Sequence, residues 1–136
     1  MSCTGTPTPE MIKEGDLEKR SDSFLQLWKR RRCVLGPDGL HLYPDWKKKG
    51  KCKVLGFDSV AKLECVERKG DRVYFTLVTV GGREIDFRCP ELSGWNAEIT
   101  LALVGFQNRK AVQALRERKE HQAARDCGHR LRSWGP

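Results

Sequence analysis

Four consecutive cations interrupt an apolar segment in the first half of the chain. Residues 27–35 have the sequence LWKRRRCVL, so positions 29 to 32 are Lys-Arg-Arg-Arg within a strand-like run. Arginine offers a planar pair of donors to phosphate oxygens, and lysine offers a compact positive charge. Cations required for solubility alone would be spread over loops. The block therefore suggests a binding site for a phosphorylated ligand, with a solvated strand edge as the alternative.

The alternation of side chains along a strand divides this block between two faces. Lys29 and Arg31 share a face with Cys33, which occupies a position typical of a core. On the preceding strand-like segment, Leu17 and Lys19 share a face by the same rule. We therefore expect Lys19, Lys29 and Arg31 to converge from two adjacent strands, where an inner face reaches an open rim.

Further cations could contact a membrane surface less specifically. Arg30 is on the opposite strand face, and a second basic block, WKKKGKCK, occupies residues 46–53. Each lysine near an anionic membrane surface contributes about 1 kcal/mol before screening. A solvated loop between strands is the alternative interpretation of the second block. The predicted auxiliary membrane contacts are Arg30, Lys47, Lys48, Lys49 and Lys51.

The bulk composition is that of one small domain with an anionic partner. The chain has 136 residues, its formal net charge is +8, and 38% of its residues are hydrophobic. From Lys13 to Lys53 there are twelve Lys and Arg residues and six Asp and Glu, so this segment carries +6 of the total. No apolar run approaches the roughly 20 residues of a membrane-spanning helix, and no hydrophobic signal segment is visible. We expect an intracellular, cytoplasmic protein that associates with membranes peripherally.

The residue types that commonly catalyse reactions or bind metals do not occur at the spacings that such sites require. The six cysteines include no C-x-x-C pair, and the histidines, His41, His121 and His129, have no metal-ligand spacing. In a reducing compartment the cysteines are expected to be free thiols. The sequence contains no HExxH motif, no Walker loop and no Ser/His/Asp or Cys/His arrangement. We therefore expect no enzymatic activity, no metal and no cofactor.

Seven short strands are predicted before the first helix. The segments GDLEKR, WKRRRCVL, LHLY and VLGF give four strands, with a GPDG turn after the second and a basic loop, 45–53, after the third. VAKLECVE and RVYFTLVTV flank the turn RKGD, and a two-residue glycine turn, 81–82, leads into REIDFRC. In REIDFRC, the side chains of Ile85, Phe87 and Cys89 share one face. We expect this sheet to curl into a half-open barrel.

The hydrophobic period changes after Pro90 and predicts one C-terminal helix. Ser93 is the predicted N-cap of this helix, and an apolar stripe follows at helical spacing. The stripe consists of Trp95, Ile99, Ala102, Leu103 and Phe106. The helix is expected to cap one end of the barrel. The predicted structural core includes Ile85, Phe87, Trp95 and Ile99.

Beyond the stripe, the chain becomes polar and basic. Val112 and Leu115 are predicted as sparse apolar anchors, and a loose basic tail is predicted from Cys127. The predicted domain organisation has three parts. These are a flexible N-terminal tail at residues 1–11, a barrel-and-helix domain at 12–118, and a basic helix end with a flexible tail at 119–136.

Several of these segments together resemble a known family. KEGDLEKR, LWKRRRCVL, YFTLVT and EIDFRC, with Trp95 in the final helix, are similar to a pleckstrin homology (PH) domain. More narrowly, LEKRSDSFLQLWK and WNAEITLAL resemble the pleckstrin homology-like domain family A. The resemblance extends over residues 13–118. The combination of segments is specific, whereas each segment alone is not.

The resemblance implies a fold, a ligand and a pathway. The fold is a seven-stranded, PH-like half-open barrel capped by one C-terminal helix, with Trp95 buried in that helix. The implied ligands are anionic membrane phosphoinositides, bound by a lysine ending the first strand and a Lys/Arg-x-Arg in the second, positions held by Lys19, Lys29 and Arg31. The resemblance also implies a monomer that competes indirectly with Akt kinase for the same lipids, dampening growth or survival signalling. The first connection, 21–27, carries no cation, unlike that of high-affinity binders.

Two other functions are compatible with the sequence. The net positive charge and basic loops would suit sequence-tolerant binding of nucleic acid. Such proteins place exposed aromatic residues among their cations, whereas Trp28 and Tyr43 are expected to be packed in strands, so we expect no specific nucleic acid. Alternatively, a barrel of this type could bind a protein or a peptide.

Overall fold

One antiparallel sheet of seven strands precedes a long helix. The computed structural model describes residues 11–21, 25–45, 47–48 and 50–133, with side chains except at residue 65 and residues 127–133. The strands are β1 (Lys13–Arg20), β2 (Trp28–Gly36), β3 (Gly39–Tyr43), β4 (Lys53–Gly56), β5 (Val60–Lys69), β6 (Arg72–Thr79) and β7 (Glu84–Pro90). Short 3-10 helices at Phe57–Ser59 and Glu91–Ser93 are followed by helix α1 (Trp95–Ser133). The predicted fold class, a half-open barrel of seven strands with one C-terminal helix, is confirmed.

The order of the strands places β1 at the centre of the sheet. The order is β4-β3-β2-β1-β7-β6-β5, so β1 joins the group β2–β4 to the group β5–β7. β1 pairs with β2 along its whole length. Its pairing with β7 is restricted to Glu18 opposite Arg88 and Lys19 opposite Phe87. The first half of β1 therefore lies beside β7 without a ladder, and a groove opens between the two strands.

The connection between β6 and β7 is two residues longer than predicted. It consists of residues 80–83, and Thr79 N–H donates to the carbonyl of Arg83 across it at 2.8 Å. Gly82 N–H donates to the Thr79 carbonyl at 2.9 Å, and Gly82 has a φ of 88° that favours glycine. The predicted two-residue turn is therefore wrong, because Val80 belongs to the turn and not to the strand.

The inner face of the sheet forms the hydrophobic core, as the alternation predicted. Ile85, Phe87 and Cys89 are each at most 2% exposed. The rings of Phe75 and Phe87 stack with centroids 5.5 Å apart. Burial raises the pKa of the Cys33 thiol to about 12, so this cysteine behaves as a small neutral core residue.

Helix α1 contributes its first three turns to the same core. Trp95 and Ile99 are 1% and 0% exposed, and Ala102 and Leu103 are also buried, so the predicted stripe is confirmed. Phe106 packs against the core, with its ring centroid 6.0 Å from that of Phe57.

The predicted helix cap is wrong by one residue. The helix begins at Trp95, and Glu98 N–H donates to the carbonyl of Gly94 at 3.0 Å. Gly94 has a φ of 68°, which glycine adopts without strain. The hydroxyl of Ser93 instead donates to the carbonyl of Pro90 at 2.7 Å, within the preceding 3-10 turn.

The chain divides into two units, one ending at Phe106 and the other beginning at Gln107. In the second unit, side chains are exposed throughout the described part, including Val112 and Leu115 at 40% and 44%, so these two do not serve as anchors. The backbone is helical to Ser133, beyond the start of the predicted loose tail. Residues 1–10 of the predicted N-terminal tail lie outside the described residues, and the predicted domain boundary at 118 stays a prediction. No helix in the described ranges is long and apolar enough to cross a bilayer.

Candidate functional site

The register between β1 and β2 puts the three predicted site cations on one face of the sheet. Lys19 lies directly opposite Lys29, and Arg31 lies opposite Leu17. Residues opposite each other in an antiparallel pair share a face, with Cβ atoms about 5 Å apart. Leu17 is 1% exposed and Cys33, next but one after Arg31, is 0% exposed. The three cations therefore extend the row of inner-face residues to the end of the sheet.

Lys19 lies at the border between these cations and the aromatic core. On its other side it pairs with Phe87 of β7, which is fully buried. Its Nζ donates to the carbonyl of Arg20 at 3.5 Å. Lys19 and Arg31 are half-buried, and Lys29 is exposed. A ligand reaching these residues would therefore approach from the end of the sheet where β1 turns into β2.

Two positive charges face each other in this register. Like charges directly opposite each other on a sheet are destabilising, and an anion between them would relieve the repulsion. Arg31 lies two residues further along β2 and on the same face. Two ammonium groups and one guanidinium on a shared face can bind the separate phosphate groups of one ligand.

The connection between β1 and β2 carries exposed leucines beside these cations. Ser21 N–H donates to the carbonyl of Leu27 at 2.7 Å, which closes the loop at its base. Gln26 has a φ of 49°, and its Oε1 accepts a hydrogen bond from Arg20 Nη2 at 2.6 Å. Leu25 and Leu27, on either side of Gln26, are 68% and 54% exposed. Residues 22–24 of this connection lie outside the described residues.

The predicted auxiliary cations do not join the inner-face group. Arg30 faces the outer side, opposite Glu18. Lys48 Nζ contacts Glu14 Oε1 on that same side, at 3.3 Å. The backbone N–H of Lys47 donates to Asp45 Oδ1 at 3.0 Å. Lys51 is exposed, and Lys49 and Trp46 lie outside the described residues.

The outer face carries a row of ion pairs that the sequence did not predict. We call this row the belt; it includes Glu18 with Arg88, and Glu14 with Arg32 and Lys48. Arg88 of β7 donates from Nε and Nη2 to both carboxylate oxygens of Glu18 of β1, at 3.2 and 3.0 Å. The same guanidinium lies 4.6 Å from the ring centroid of Trp28. Trp28 also meets Tyr74 edge-on at 5.7 Å. The alternation of side chains along β2 was enough to predict that Trp28 lies on the outer face, because Trp28 and Arg30 are two residues apart.

The belt alters the titration of its carboxylates. The hydrogen bonds from Arg88 hold the pKa of Glu18 below its ordinary value, and burial opposes the shift more weakly. In the same way, hydrogen bonds from Arg32 and Lys48 lower the pKa of Glu14. These acids stay ionised at physiological pH, and they neutralise the outer-face cations, while the inner-face cations lie on the opposite side of the sheet.

The groove between β1 and β7 contains a cavity of about 420 Å³. Its lining includes Trp95 and charged groups of both signs, among them Arg30, Arg72, Asp16 and Glu18. Lys19, Lys29 and Arg31 do not line this cavity. The groove is therefore a separate, mixed-charge feature of the barrel.

The described residues do not assemble a metal centre. No group of three or more His, Cys, Asp or Glu side chains lies close enough together there to hold a metal ion. Cys52 Sγ lies 3.8 Å from His41 Nδ1. A hydrogen bond between Cys52 and Tyr43 raises the pKa of the Tyr43 phenol. Cys52 and His41 are the two possible metal ligands in this cluster, and a zinc site requires at least three.

Comparison with known proteins agrees with this architecture. The PH domain family matches residues 11–100 of the chain. Pleckstrin homology-like domain family A member 2 of Xenopus tropicalis is 78% identical over 134 residues, which cover 98% of each chain. Family A member 3 of Danio rerio is 51% identical over 110 residues, covering 80% of this chain and 85% of the relative.

Solved structures show the same fold at low sequence identity. The Slm1 PH domain, crystallised in complex with inositol-4-phosphate, superimposes with a TM-score of 0.56 and 24% identity. The match covers 68% of this chain and 92% of that domain. At this identity the likeness speaks for the barrel and not for its ligand. The family match over residues 11–100 and the near full-length identity to a family A member show that the chain belongs to the pleckstrin homology-like domain family A.

Proposed function

We propose that this chain is a non-enzymatic, phosphoinositide-binding protein that associates reversibly with membranes. The observation that carries the proposal is the pairing of Lys19 with Lys29 on the inner face, with Arg31 on that same face. The pairing brings like charges together at the border of a fully buried core, where they oppose folding. An anionic ligand with several phosphate groups would turn this repulsion into binding free energy.

The three cations would make different contacts with the phosphoinositide headgroup. Arg31 would bind one phosphate through the planar fork of its guanidinium, and Lys19 and Lys29 would each supply a point charge to its neighbours. The residues 21–27 contain no cation that could close over the ligand. We therefore expect weak discrimination among phosphoinositide headgroups.

The lysines of the β3–β4 loop would add a nonspecific contribution to membrane binding. Lys47, Lys48, Lys49 and Lys51, with Arg30, are the proposed auxiliary contacts with an anionic membrane surface. Lys48 already pairs with Glu14, so we expect it to contribute less than the exposed Lys51. The protein would then be cytoplasmic, with a fraction bound peripherally to the membrane.

The chain would affect signalling by occupying phosphoinositide headgroups, without catalysing a reaction. A chain that covers phosphoinositides withholds them from other PH-domain proteins, such as Akt kinase, in proportion to its abundance. The proposed result is dampened growth or survival signalling, with consequences for apoptosis. The crystal complex of the Slm1 PH domain with inositol-4-phosphate shows that a barrel of this fold can bind a phosphorylated inositol, as Slm1 does.

Vesicle sedimentation with matched variants tests the lipid site. Wild type, Arg31→Ala and Arg118→Ala are compared on phosphatidylcholine vesicles with and without phosphoinositide, at fixed salt. Arg118 is an exposed cation of α1, so its substitution removes the same charge outside the proposed site. We expect about tenfold weaker binding for Arg31→Ala, because one charge-assisted hydrogen-bonded pair is lost, and little change for Arg118→Ala. Equal binding by all three proteins would contradict the proposal.

Competition can be measured directly on the same vesicles. A fluorescent PH domain of Akt kinase is bound first, and increasing amounts of this chain are added. We expect displacement by wild type and by Arg118→Ala, and weaker displacement by Arg31→Ala. Displacement that does not depend on Arg31 would separate competition from the proposed headgroup site.

A peptide-binding role is the second candidate, and the groove between β1 and β7 favours it. The cavity of about 420 Å³ has charges of both signs, which suits a peptide segment. A partner captured by wild type and equally by Lys19→Ala, Lys29→Ala and Arg31→Ala would support this role. Nucleic-acid binding is less favoured, because Arg88 and Arg20 lie 4.6 and 5.9 Å from the Trp28 ring centroid and occupy the surface on which a base would stack.

A further inference from the structure

A cysteine and a histidine lie within hydrogen-bonding distance of each other on the outer face of β3 and β4. Cys52 Sγ is 3.8 Å from His41 Nδ1. His41 pairs with Val54 across the two strands, and Tyr43, two residues further along β3, shares a hydrogen bond with Cys52. The adjacent leucines of these strands are buried in the core, so this face is the outer one. The pairing of the strands therefore holds a nucleophile beside a base.

Cys52 is also open to reagents in solution. Among the three cysteine side chains that the structure describes, Cys52 alone is exposed. Cys33 and Cys89 are 0% and 1% exposed, so a disulfide reagent cannot reach either sulfur atom in the folded protein. The remaining cysteine side chains, at positions 3, 65 and 127, lie outside the described ones. Accessibility and a neighbouring base thus occur together at Cys52.

The surroundings of Cys52 are strongly basic. Residues 46–53, WKKKGKCK, contain five lysines and no acid. Lys51 and Lys53, which flank Cys52 in the chain, are both exposed. A basic loop attracts anions, and cations beside a thiol stabilise the thiolate as it forms. The charge of the loop therefore favours an anionic reagent over a cationic one.

We propose that Cys52 is a modification site for small anionic disulfides such as glutathione disulfide, with His41 as the base. Cys52 Sγ passes its proton to His41 Nδ1 and attacks one sulfur atom of the reagent. A new S–S bond joins Cys52 to one half of the reagent, and the original S–S bond breaks. The other half leaves as a thiolate and takes the proton back from the imidazolium. Cys52 is thereby oxidised, and the departing half is reduced to a thiol.

The modification would change the charge of the loop. A glutathionyl group carries two carboxylates and one ammonium group, so it adds about one net negative charge at neutral pH. On an anionic membrane this charge would offset the attraction of one lysine, and the consequence rests on the proposed function. The reaction at Cys52 does not, because it requires neither lipid nor the inner-face cations.

The experiment follows modification of Cys52 in the full chain by mass spectrometry. Reduced protein is mixed at pH 7 with glutathione disulfide or with cystamine, a cationic disulfide, and the peptide that contains Cys52 is quantified over time. The variants are His41→Gln and Lys51→Gln. Their matched controls, His121→Gln and Lys119→Gln, change an exposed histidine and an exposed lysine of α1. Thermal unfolding establishes that each variant is folded.

We expect His41→Gln to slow the reaction of Cys52 with both reagents by at least about tenfold, because the base is lost. Lys51→Gln should slow the reaction with glutathione disulfide and not that with cystamine, so the ratio of the two rates should fall roughly fivefold at low salt. The change in ratio should disappear at about 1 M salt, where the charges are screened. Both controls should react as wild type.

Three results would overturn the inference. Equal rates at Cys52 in wild type and His41→Gln would exclude the histidine as the base. Wild type that gains no preference for glutathione disulfide over cystamine when salt is lowered would exclude recognition by charge. Absence of modification at Cys52 would remove the site. The comparison of the two reagents on wild type needs no variant, so it decides the matter even if His41→Gln does not fold.

Discussion

Lys19 and Lys29 occupy opposing positions on two strands where like charges repel. The same register keeps Leu17 of β1 and Cys33 and Leu35 of β2 on the buried inner face, so a shift by one residue would turn one of these sets toward solvent. The proposed binding surface would therefore be maintained at some expense to the stability of the unliganded protein.

Removing one of these charges should stabilise the free protein. For Lys29→Gln, we expect the free energy of unfolding at low salt to rise by about 0.5 kcal/mol, since one like-charge cross-strand pair is lost. The gain should shrink at high salt because the repulsion is screened. Chemical denaturation of wild type, Lys29→Gln and the exposed loop variant Lys51→Gln measures this effect. A loss of stability in Lys29→Gln, or the same gain in Lys51→Gln, would contradict it.

Gly39, at the start of β3, occupies a position where no side chain fits. A Cβ atom there would lie 2.5 Å from the carbonyl oxygen of Leu55 and 2.9 Å from Cα of Gly56. Gly39→Ala should therefore destabilise the protein by about 1–3 kcal/mol, because the backbone of β4 must move. Gly81→Ala is the matched control, since its Cβ would come no closer than 3.9 Å to the Thr79 hydroxyl. Denaturation midpoints that coincide for the two variants would show that β4 does not constrain Gly39.

At the scale of elements, β1 and β7 are joined by little backbone pairing and by one strong side-chain pair. Their ladder is restricted to residues around Glu18 and Lys19, and the bidentate Glu18–Arg88 interaction lies on it. Charge-assisted, bidentate pairs of this kind are the strong ones. The contact between β1 and β7, which joins the two groups of strands, thus depends on the Glu18–Arg88 pair as well as on the core.

Glu18→Gln should weaken this closure in a pH-dependent way. Because Arg88 lowers the pKa of Glu18 in the folded protein, the stabilisation is present above the unfolded pKa and lost as pH falls through the folded one. At pH 7 we expect a loss of about 1–2 kcal/mol, and the loss should vanish once pH has fallen through the pKa of Glu18 in the folded protein, because both proteins are then neutral at this position. Denaturation at several pH values measures the difference. Glu64→Gln, which breaks an exposed pair with Lys62, should cost much less at pH 7, and a parallel pH profile for the two variants would argue against a special role for Glu18.

The sequence predicted most of the elements and faces, because these depend on local patterns. Alternation put Ile85, Phe87 and Cys89 in the core, and helical spacing put Trp95 and Ile99 there. The Glu18–Arg88 pair could not be predicted, because it requires the register between strands that are 70 residues apart. The turn differed because the backbone bond from Thr79 to Arg83 closes a loop that takes Val80 and Arg83 out of the predicted strands. The Ser93 cap differed because Gly94 adopts the positive φ before the helix.

At the scale of the whole molecule, charge is distributed unevenly between surfaces. The net charge is +8, but outer-face cations such as Arg32 and Arg88 are largely neutralised by Glu14 and Glu18. The sequence predicted the excess of cations in the first half of the chain. It could not predict which of them are neutralised, because that depends on contacts between strands.

Position, and not net charge alone, should govern attraction to an anionic membrane. Lys47→Glu with Lys51→Glu and Arg118→Glu with Lys119→Glu change the net charge by the same amount. We expect the loop variant to bind phosphatidylserine vesicles at least about tenfold more weakly than the helix variant, at about 1 kcal/mol per charge near the surface. Sedimentation at constant ionic strength measures both. Equal weakening would mean that the chain responds to membranes through its total charge.

We propose that a phosphorylated inositol binds between Lys19, Lys29 and Arg31. Nuclear magnetic resonance titration of the labelled protein with a soluble inositol phosphate headgroup tests it most directly, since every backbone amide reports its own surroundings. We expect saturable shifts at Lys19, Lys29 and Arg31 that disappear in Arg31→Ala and persist in Arg118→Ala. Shifts confined to the groove residues Arg72 and Arg88, or to the loop at Lys47 and Lys51, would contradict it.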